Sequence, residues 1–283
     1  MIAWSERILA GFLVAAALGG AVVAAQPTLC TVTSGVSQLT GAREASGIAV
    51  SRRTSGIIWS HNDSGAATLF AFDESGSMKG RVEVTGAAVG DWEDLAVGPC
   101  RDESCLYVAD IGDNNRSRRQ LTIYRIPEPR PDDKTVQPAE AWAVAYPDGA
   151  HDAEALFVMP NGQMFLVSKE NARSTALYRV PMPAGGSTGR LQPITQLPLD
   201  RVTGASASSD GNWVALRTNT EVVFYPAAEL LAGKNPQPRR FDLRALKEPQ
   251  GEGVAFGSDG LIYLVGEGTG QSGTLAAIKC TLR

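Results

Sequence analysis

The sequence predicts an all-β fold, a five-bladed β-propeller, and three observations carry that expectation. Short runs of β-branched and aromatic residues are split by Gly, Asp, Asn and Pro clusters, and helical periodicity is scarce. A short segment recurs five times: Ala45-Ser46-Gly47-Ile48-Ala49, Trp92-Glu93-Asp94-Leu95-Ala96, Ala153-Glu154-Ala155-Leu156-Phe157, Val202-Thr203-Gly204-Ala205-Ser206 and Gly251-Glu252-Gly253-Val254-Ala255. With Ser46, Glu93, Glu154, Thr203 and Glu252 taken as equivalent, the spacings are 47, 61, 49 and 49 residues, room for the four strands of a propeller blade.

The chain opens with Arg7 and an apolar run from Ile8 to Ala25, ending in the small residues Val23, Ala24 and Ala25. This has the form of a secretory signal peptide over residues 1–25. The run is also long enough to serve as an uncleaved membrane anchor. Pro27 and Thr28 make Cys30 a poor lipid acceptor. Residues 26–283 then form a single propeller domain, secreted or periplasmic, and a monomer is expected. A net charge of −4 and the lack of a basic stretch argue against a nucleic-acid partner. No second membrane segment follows.

Four cysteines in an exported chain suggest two disulfides. Three pairings are possible, and four free thiols are the alternative. Cys100 and Cys105 flank a short turn and can pair locally. Cys30 and Cys280 lie at opposite ends of the mature chain, where a bridge would tie the termini.

Each repeat continues into a turn and a second apolar run: Ile57–Ser60, Leu106–Ala109, Met164–Ser168, Trp213–Leu216 and Leu261–Val265. A third run follows in most. The 31 residues after Glu252 and the 20 before Ser46 in the mature chain together make one more repeat. The last blade is therefore expected to take three strands from the C-terminus and one from the N-terminus, setting Cys280 beside Cys30. Closure of this kind removes an open sheet edge. A sixth blade does not fit; the slack in the 61-residue gap falls in the Pro-rich stretch 127–138.

The first strand of a blade lines the propeller axis. Three glutamates in register then converge on one narrow channel, with hydroxyls at the other two positions. Such crowding raises the carboxyl pKa values and is costly unless a cation or protons offset it. The donors are all oxygens, with no Cys or His beside them, which favours a hard cation, and a wide site on five strands suits Ca2+. The expected metal ligands are Ser46, Glu93, Glu154, Thr203 and Glu252; the alternative is a metal-free polar core. Strict strand alternation places Ser46, Ile48 and Val50 on one side, as it does Glu93, Leu95 and Val97.

The ends of the second strands open on the same face and are all polar. This predicts a polar funnel above the ring. Asp63, Asp110 and Glu267 are the candidate catalytic acids or bases, with Glu170 a further carboxylate. His61, Asn62, Asp113, Asn114, Lys169, Glu170 and Arg217 are the candidate ligand-binding residues, with His61, Lys169 and Arg217 suited to an anion. Each is also explicable as a solvated turn residue. His151 could join the rim. Asn62 and Asn115 each begin a glycosylation sequon.

Two resemblances follow from these residues. The segments Asp91–Ala96 and Leu106–Asn114, DWEDLA…LYVADIGDN, resemble those of a group of exported bacterial propeller proteins, which implies a fold rather than a reaction. The ring order Ser, Glu, Glu, Thr, Glu is similar to that of the calcium-activated nucleotidases of the apyrase family. That similarity implies one axial calcium on Ser46, Glu93, Glu154, Thr203 and Glu252, with Thr203 in place of a serine. The longer nucleotidase motifs are absent. Phytase-like, lactonase-like and glycosidase propellers are weaker analogies, since none of their motifs is matched. Two functions stay open. One is a calcium-binding module whose funnel takes a small anion, glycan or protein ligand. The other is a calcium-dependent hydrolase of an anionic substrate such as a phosphate ester or anhydride.

Overall fold

The structure is a computed structural model that describes residues 29–282 apart from 102, 139, 172–173, 183–186, 269 and 271. The apolar run expected to be a signal peptide lies outside the described residues. The described chain forms five sheets, the five blades of a propeller. Blade one holds Ala45–Val50, Ile57–Asn62, Thr68–Asp73 and Met78–Val84, from the axis outwards. Blade two holds Trp92–Cys100, Glu103–Asp110, Leu121–Pro127 and Glu140–Ala145, and blade three holds Ala153–Val158, Met164–Ser168, Ala176–Val180 and Gln192–Gln196. Blade four holds Gly204–Ala207, Trp213–Arg217, Glu221–Pro226 and Arg239–Asp242. The inner strands touch in cyclic order, blade five against blade one, so the ring is closed.

Blade five takes Gln250–Phe256, Leu261–Glu267 and Ser272–Cys280 from the end of the chain, and its outer strand is Cys30–Thr40. Cys30 stands opposite Cys280 in this pairing and is disulfide-bonded to it, and Cys100 is bonded to Cys105. The long gap is explained by the segment after Pro127, which sends Thr135–Val136 to pair in parallel with the outer strand of blade one. Glu128, at the root of that segment, is fully buried. Its carboxylate accepts from Ser51 Oγ, Ser104 Oγ and, at 3.2 Å, Trp59 Nε1, which pins blade one to blade two.

Five apolar clusters fill the five clefts between neighbouring blades. Burial of this surface is the main favourable term in folding. The inner strands raise a separate problem. Each is a sheet edge turned to the axis, so its unpaired backbone groups need partners other than a ladder. Asp94 supplies one solution. Its carboxylate is fully buried and accepts from Leu95 N at 2.8 Å, from Leu156 N of blade three at 2.8 Å and from Ala205 N of blade four at 3.1 Å. The equivalent positions are small: Gly47, Ala155, Gly204 and Gly253. A Cβ at Gly253 would lie 2.5 Å from Ser46 O, and one at Gly204 would lie 2.6 Å from Glu252 O, so backbones meet directly there. One side chain fills the centre and four stay out of its way.

Truncating Asp94 leaves three buried amides without an acceptor. Asp94→Ala is expected to lower unfolding stability by about 3 kcal/mol or more, read from urea denaturation. Asp94→Asn keeps an accepting oxygen and is expected to lose less. The latch is tested separately. Cys30→Ser with Cys280→Ser removes a crosslink spanning 250 residues and is expected to cost more than Cys100→Ser with Cys105→Ser, which spans 5. Equal melting temperatures in the two pairs would contradict the latch.

Candidate functional site

The five ring residues are all buried at the axis, between 3% and 6% exposed. Four of them lie at β-bulges, where the inner strand shifts register against its neighbour: between Ala45 and Ile48, Trp92 and Asp94, Ala153 and Ala155, and Gly251 and Val254. Thr203 sits just before its strand, and its amide bonds to Arg217 O at 2.8 Å. A bulge re-aims a side chain, and the packing shows it. Ala45 and Ile48 share one core cluster, as do Trp92 and Leu95, and Ala153 and Leu156. A three-residue spacing on one face is impossible in a regular strand. The strict alternation expected from the sequence is therefore broken where the ring is built.

The hydroxyls and the carboxylates play different parts. Ser46 Oγ donates to Glu93 O at 2.6 Å, and Thr203 Oγ1 donates to Glu252 O at 2.9 Å, each reaching the next blade round the ring. Lys169 forms an ion pair with Glu154 Oε1. Glu154 Oε2 is buried with no hydrogen-bond partner. Glu252 Oε1 accepts from Gln250 Nε2 at 2.7 Å. Burial pushes the Glu93 carboxyl up to about 9, helped by the charges of Asp91 and Glu252 and opposed by Lys169. Burial also pushes Glu252 up to about 7, against the Gln250 hydrogen bond and Lys169. Among the described residues no three His, Cys, Asp or Glu side chains stand close enough together to share a metal. The donor set of hard oxygens fits calcium, and so does the unpartnered oxygen of Glu154. The positive charge beside Glu154 is the Lys169 ammonium, which a cation would have to displace.

The DIGDN segment forms the wall above Glu93. Asp110 accepts from Gly90 N and Asp91 N, both at 3.0 Å, and from Arg118 Nη2 at 2.7 Å. A Cβ at Gly112 would lie 2.3 Å from Glu93 Oε1 and 2.4 Å from Asp91 Oδ2, so a side chain there would push both carboxyls aside. Asp113 accepts from Ser117 N and Arg118 N, and its own amide donates to Asp152 Oδ1 at 2.8 Å.

Three of the residues expected at the rim are instead buried. His61 is fully buried, packed edge-on to Trp92, and burial lowers its pKa to about 4, so it is neutral and cannot hold an anion at the rim. Arg217 is also fully buried. It pairs with Glu248 at 2.5 Å and donates to Gly253 O and Val265 O, tying blade four to blade five. Asp110 is buried and saturated with donors, which makes it a scaffold for Asp91 rather than a free acid or base.

The other candidates have the following surroundings. Asn62 Oδ1 accepts from Glu44 N at 3.2 Å. Glu170 pairs with Arg116 at 2.6 Å and has His151 Nδ1 at 3.4 Å. Asn114 is exposed. Asp63 is half-buried and pushed up to about 6, by burial first and then by Glu44. Glu267 is raised by burial and Glu44, and accepts from Gln250 Nε2 at 2.8 Å. Sequence reasoning missed Glu44, Asp91, Asp152 and Gln250. All four stand two residues before a ring position, a spacing that could have exposed them as a second polar tier.

No protein-family model matches the sequence, and no curated protein matches it. Solved propellers resemble the fold. A PQQ-bound aldose sugar dehydrogenase from Streptomyces coelicolor is 14% identical over 89% of this chain and 98% of that one, with a TM-score of 0.49. A gluconolactonase from Xanthomonas campestris is 13% identical over 87% of this chain and 89% of that one, with a TM-score of 0.48. A soluble aldose sugar dehydrogenase from Escherichia coli is 13% identical over 88% of this chain and all of that one, with a TM-score of 0.49. These likenesses concern the fold alone.

The raised carboxyls make metal-free stability depend on pH. Above pH 6.5 the folded state still holds protons that the unfolded chain has lost, on Glu252 up to about pH 7, on Asp94, pushed up by burial, to about 8, and on Glu93 to about 9. Folded protein thus binds more protons, and stability falls as pH rises through that window. His61 has the opposite sign, but only below pH 6.5, where the unfolded chain takes its proton. In chelator, the melting temperature is expected to fall from pH 6.5 to 9, and Glu93→Gln is expected to flatten the slope. A melting temperature that rises with pH in that window would contradict the arrangement.

Proposed function

We propose that the protein is an exported calcium-binding propeller whose acidic funnel captures a hydroxyl-rich ligand such as a glycan. One observation carries the reading: three buried carboxylates face one axis with a single ammonium among them. Burying such carboxyls as anions is strongly unfavourable; without metal they hold protons, and a divalent cation would take the protons' place. Ser46, Glu93, Glu154, Thr203 and Glu252 are the side chains that would hold it. When bound, calcium supplies a positive centre on which ligand oxygens can sit. The apolar N-terminal run and the two disulfides support export. Among the described residues no helix is long and apolar enough to cross a membrane.

The choice of ligand follows from the rim. Glu44, Asp63, Asp152 and Glu267 repel a bare anion and accept hydrogen bonds from hydroxyls. Arg116 and Arg118 are already paired, with Glu170 and Asp110. A small anionic group binds this funnel only through the cation.

Calorimetry on chelator-stripped protein tests the reading. One calcium per chain is expected, weakened at least tenfold by Glu252→Gln. Lys169→Met removes the competing ammonium and is expected to tighten calcium tenfold or more. Weaker calcium binding in Lys169→Met would show that Lys169 supports the site instead of occupying it.

A second reading is favoured by Asp63 alone. A half-buried carboxyl raised to about 6 beside the funnel is suited to act as a general base. In a calcium-dependent hydrolase, turnover would show a pH limb near that value, lost in Asp63→Asn. Silence of phosphatase, nucleotidase and esterase panels with calcium present removes this reading.

A further inference from the structure

The other end of the channel has no part in the cation site, and its chemistry is opposite. Counting four residues along each inner strand from the oxygen ring gives Val50, Val97, Val158, Ala207 and Phe256. All five line one cavity of about 230 Å³ at the far pole. One blade contributes each of them, so this second ring is as much a product of the repeat as the first. Its members carry no polar side-chain atoms, and all but Val158 are only partly buried. Apolar walls of this kind, open to water, are favourably covered by an apolar body.

The mouth of the cavity carries a single charge. Arg52 is exposed there, and every other lining residue is apolar or a small hydroxyl or glycine. Its neighbour Arg53 is turned aside to donate to Glu128 O at 2.7 Å. The nearest carboxylate, Glu128, is buried and engaged by Ser51, Ser104 and Trp59, and takes the Arg52 backbone amide at 3.3 Å. No ion pair of the Arg52 guanidinium is formed among the described residues. The Arg52 guanidinium feels the Glu128 charge without pairing with it, and an apolar-walled cup with this cation at its lip complements a molecule with an apolar tail and an anionic head.

We infer that this pole is a second binding site, for a small carboxylate with a short alkyl tail. The carboxylate pairs with Arg52 and the tail enters the ring of Val50, Val97, Val158, Ala207 and Phe256. The cavity lies below the range of about 300–1,000 Å³ usual for drug-sized ligands, which limits the tail to a short chain. The site is independent of the calcium reading, because the two rings share no residue.

Calorimetry with a series of straight-chain carboxylates on the mature protein tests the assignment. Octanoate is expected to bind one per chain, and affinity is expected to rise about fourfold per methylene from butanoate until the cup is full. Arg52→Gln, at an exposed position, is expected to weaken octanoate at least tenfold. Ala207→Leu, which fills the cup, is expected to abolish binding, and Val97→Phe provides the same test should Ala207→Leu fail to fold. Octylamine of equal length is expected to bind far more weakly, and Glu154→Gln is expected to leave octanoate binding unchanged. The inference is overturned if octanoate does not saturate at one per chain, if octylamine binds as tightly, or if Arg52→Gln leaves the affinity unaltered.

Discussion

Five sheet edges meet at one axis, and their unpaired backbone groups must find partners there. Most of the molecule's central chemistry answers that constraint. Asp94 accepts the amides of blades two, three and four, while Ser46 and Thr203 donate to carbonyls of the blades beside them. Three of the positions equivalent to Asp94, Gly47, Gly204 and Gly253, hold glycine where backbone meets backbone, and the fourth is Ala155. The latch between Cys30 and Cys280 then fixes the last blade, so the convergence at the axis and the closure at the perimeter support one another.

The same geometry divides the channel by polarity. At one pole the bulges aim hydroxyls and carboxylates inward, and the loops above add more acid. At the other pole the strands resume their regular course and present Val, Ala and Phe. A symmetric repeat thus yields two unlike rings a few residues apart on the same five strands. Burial, aided at Glu93 by the charges of Asp91 and Glu252, keeps protons on Glu93 and Glu252 at pH values where free carboxylates have lost them.

Much of this was legible in the sequence. The five aligned segments gave the blade number, the remaining residues gave the N-terminal closing strand, and the two together placed Cys30 beside Cys280. What stayed hidden depends on orientation. His61 and Arg217 end strands in polar clusters, yet both lie on strand faces turned to a neighbouring blade, where one packs on Trp92 and the other crosses to Glu248. Alternation by two cannot anticipate a bulge. Asp94 was visible only as the exception in a column of small residues, and its role requires knowing that three inner strands lie within reach of one carboxylate. The second polar tier of Glu44, Asp91, Asp152 and Gln250 was legible in principle, two places before each ring residue. It went unread because Arg201 interrupts the column in blade four.

The most direct test of the central claim is thermal unfolding at pH 8 in chelator and in millimolar calcium, for the wild type and for Glu154→Gln. Excess buried negative charge predicts a clear calcium-dependent rise in the wild-type melting temperature that Glu154→Gln loses. Identical melting temperatures with and without calcium in the wild type would contradict it, and would leave Lys169 and bound protons as the whole balance of the ring.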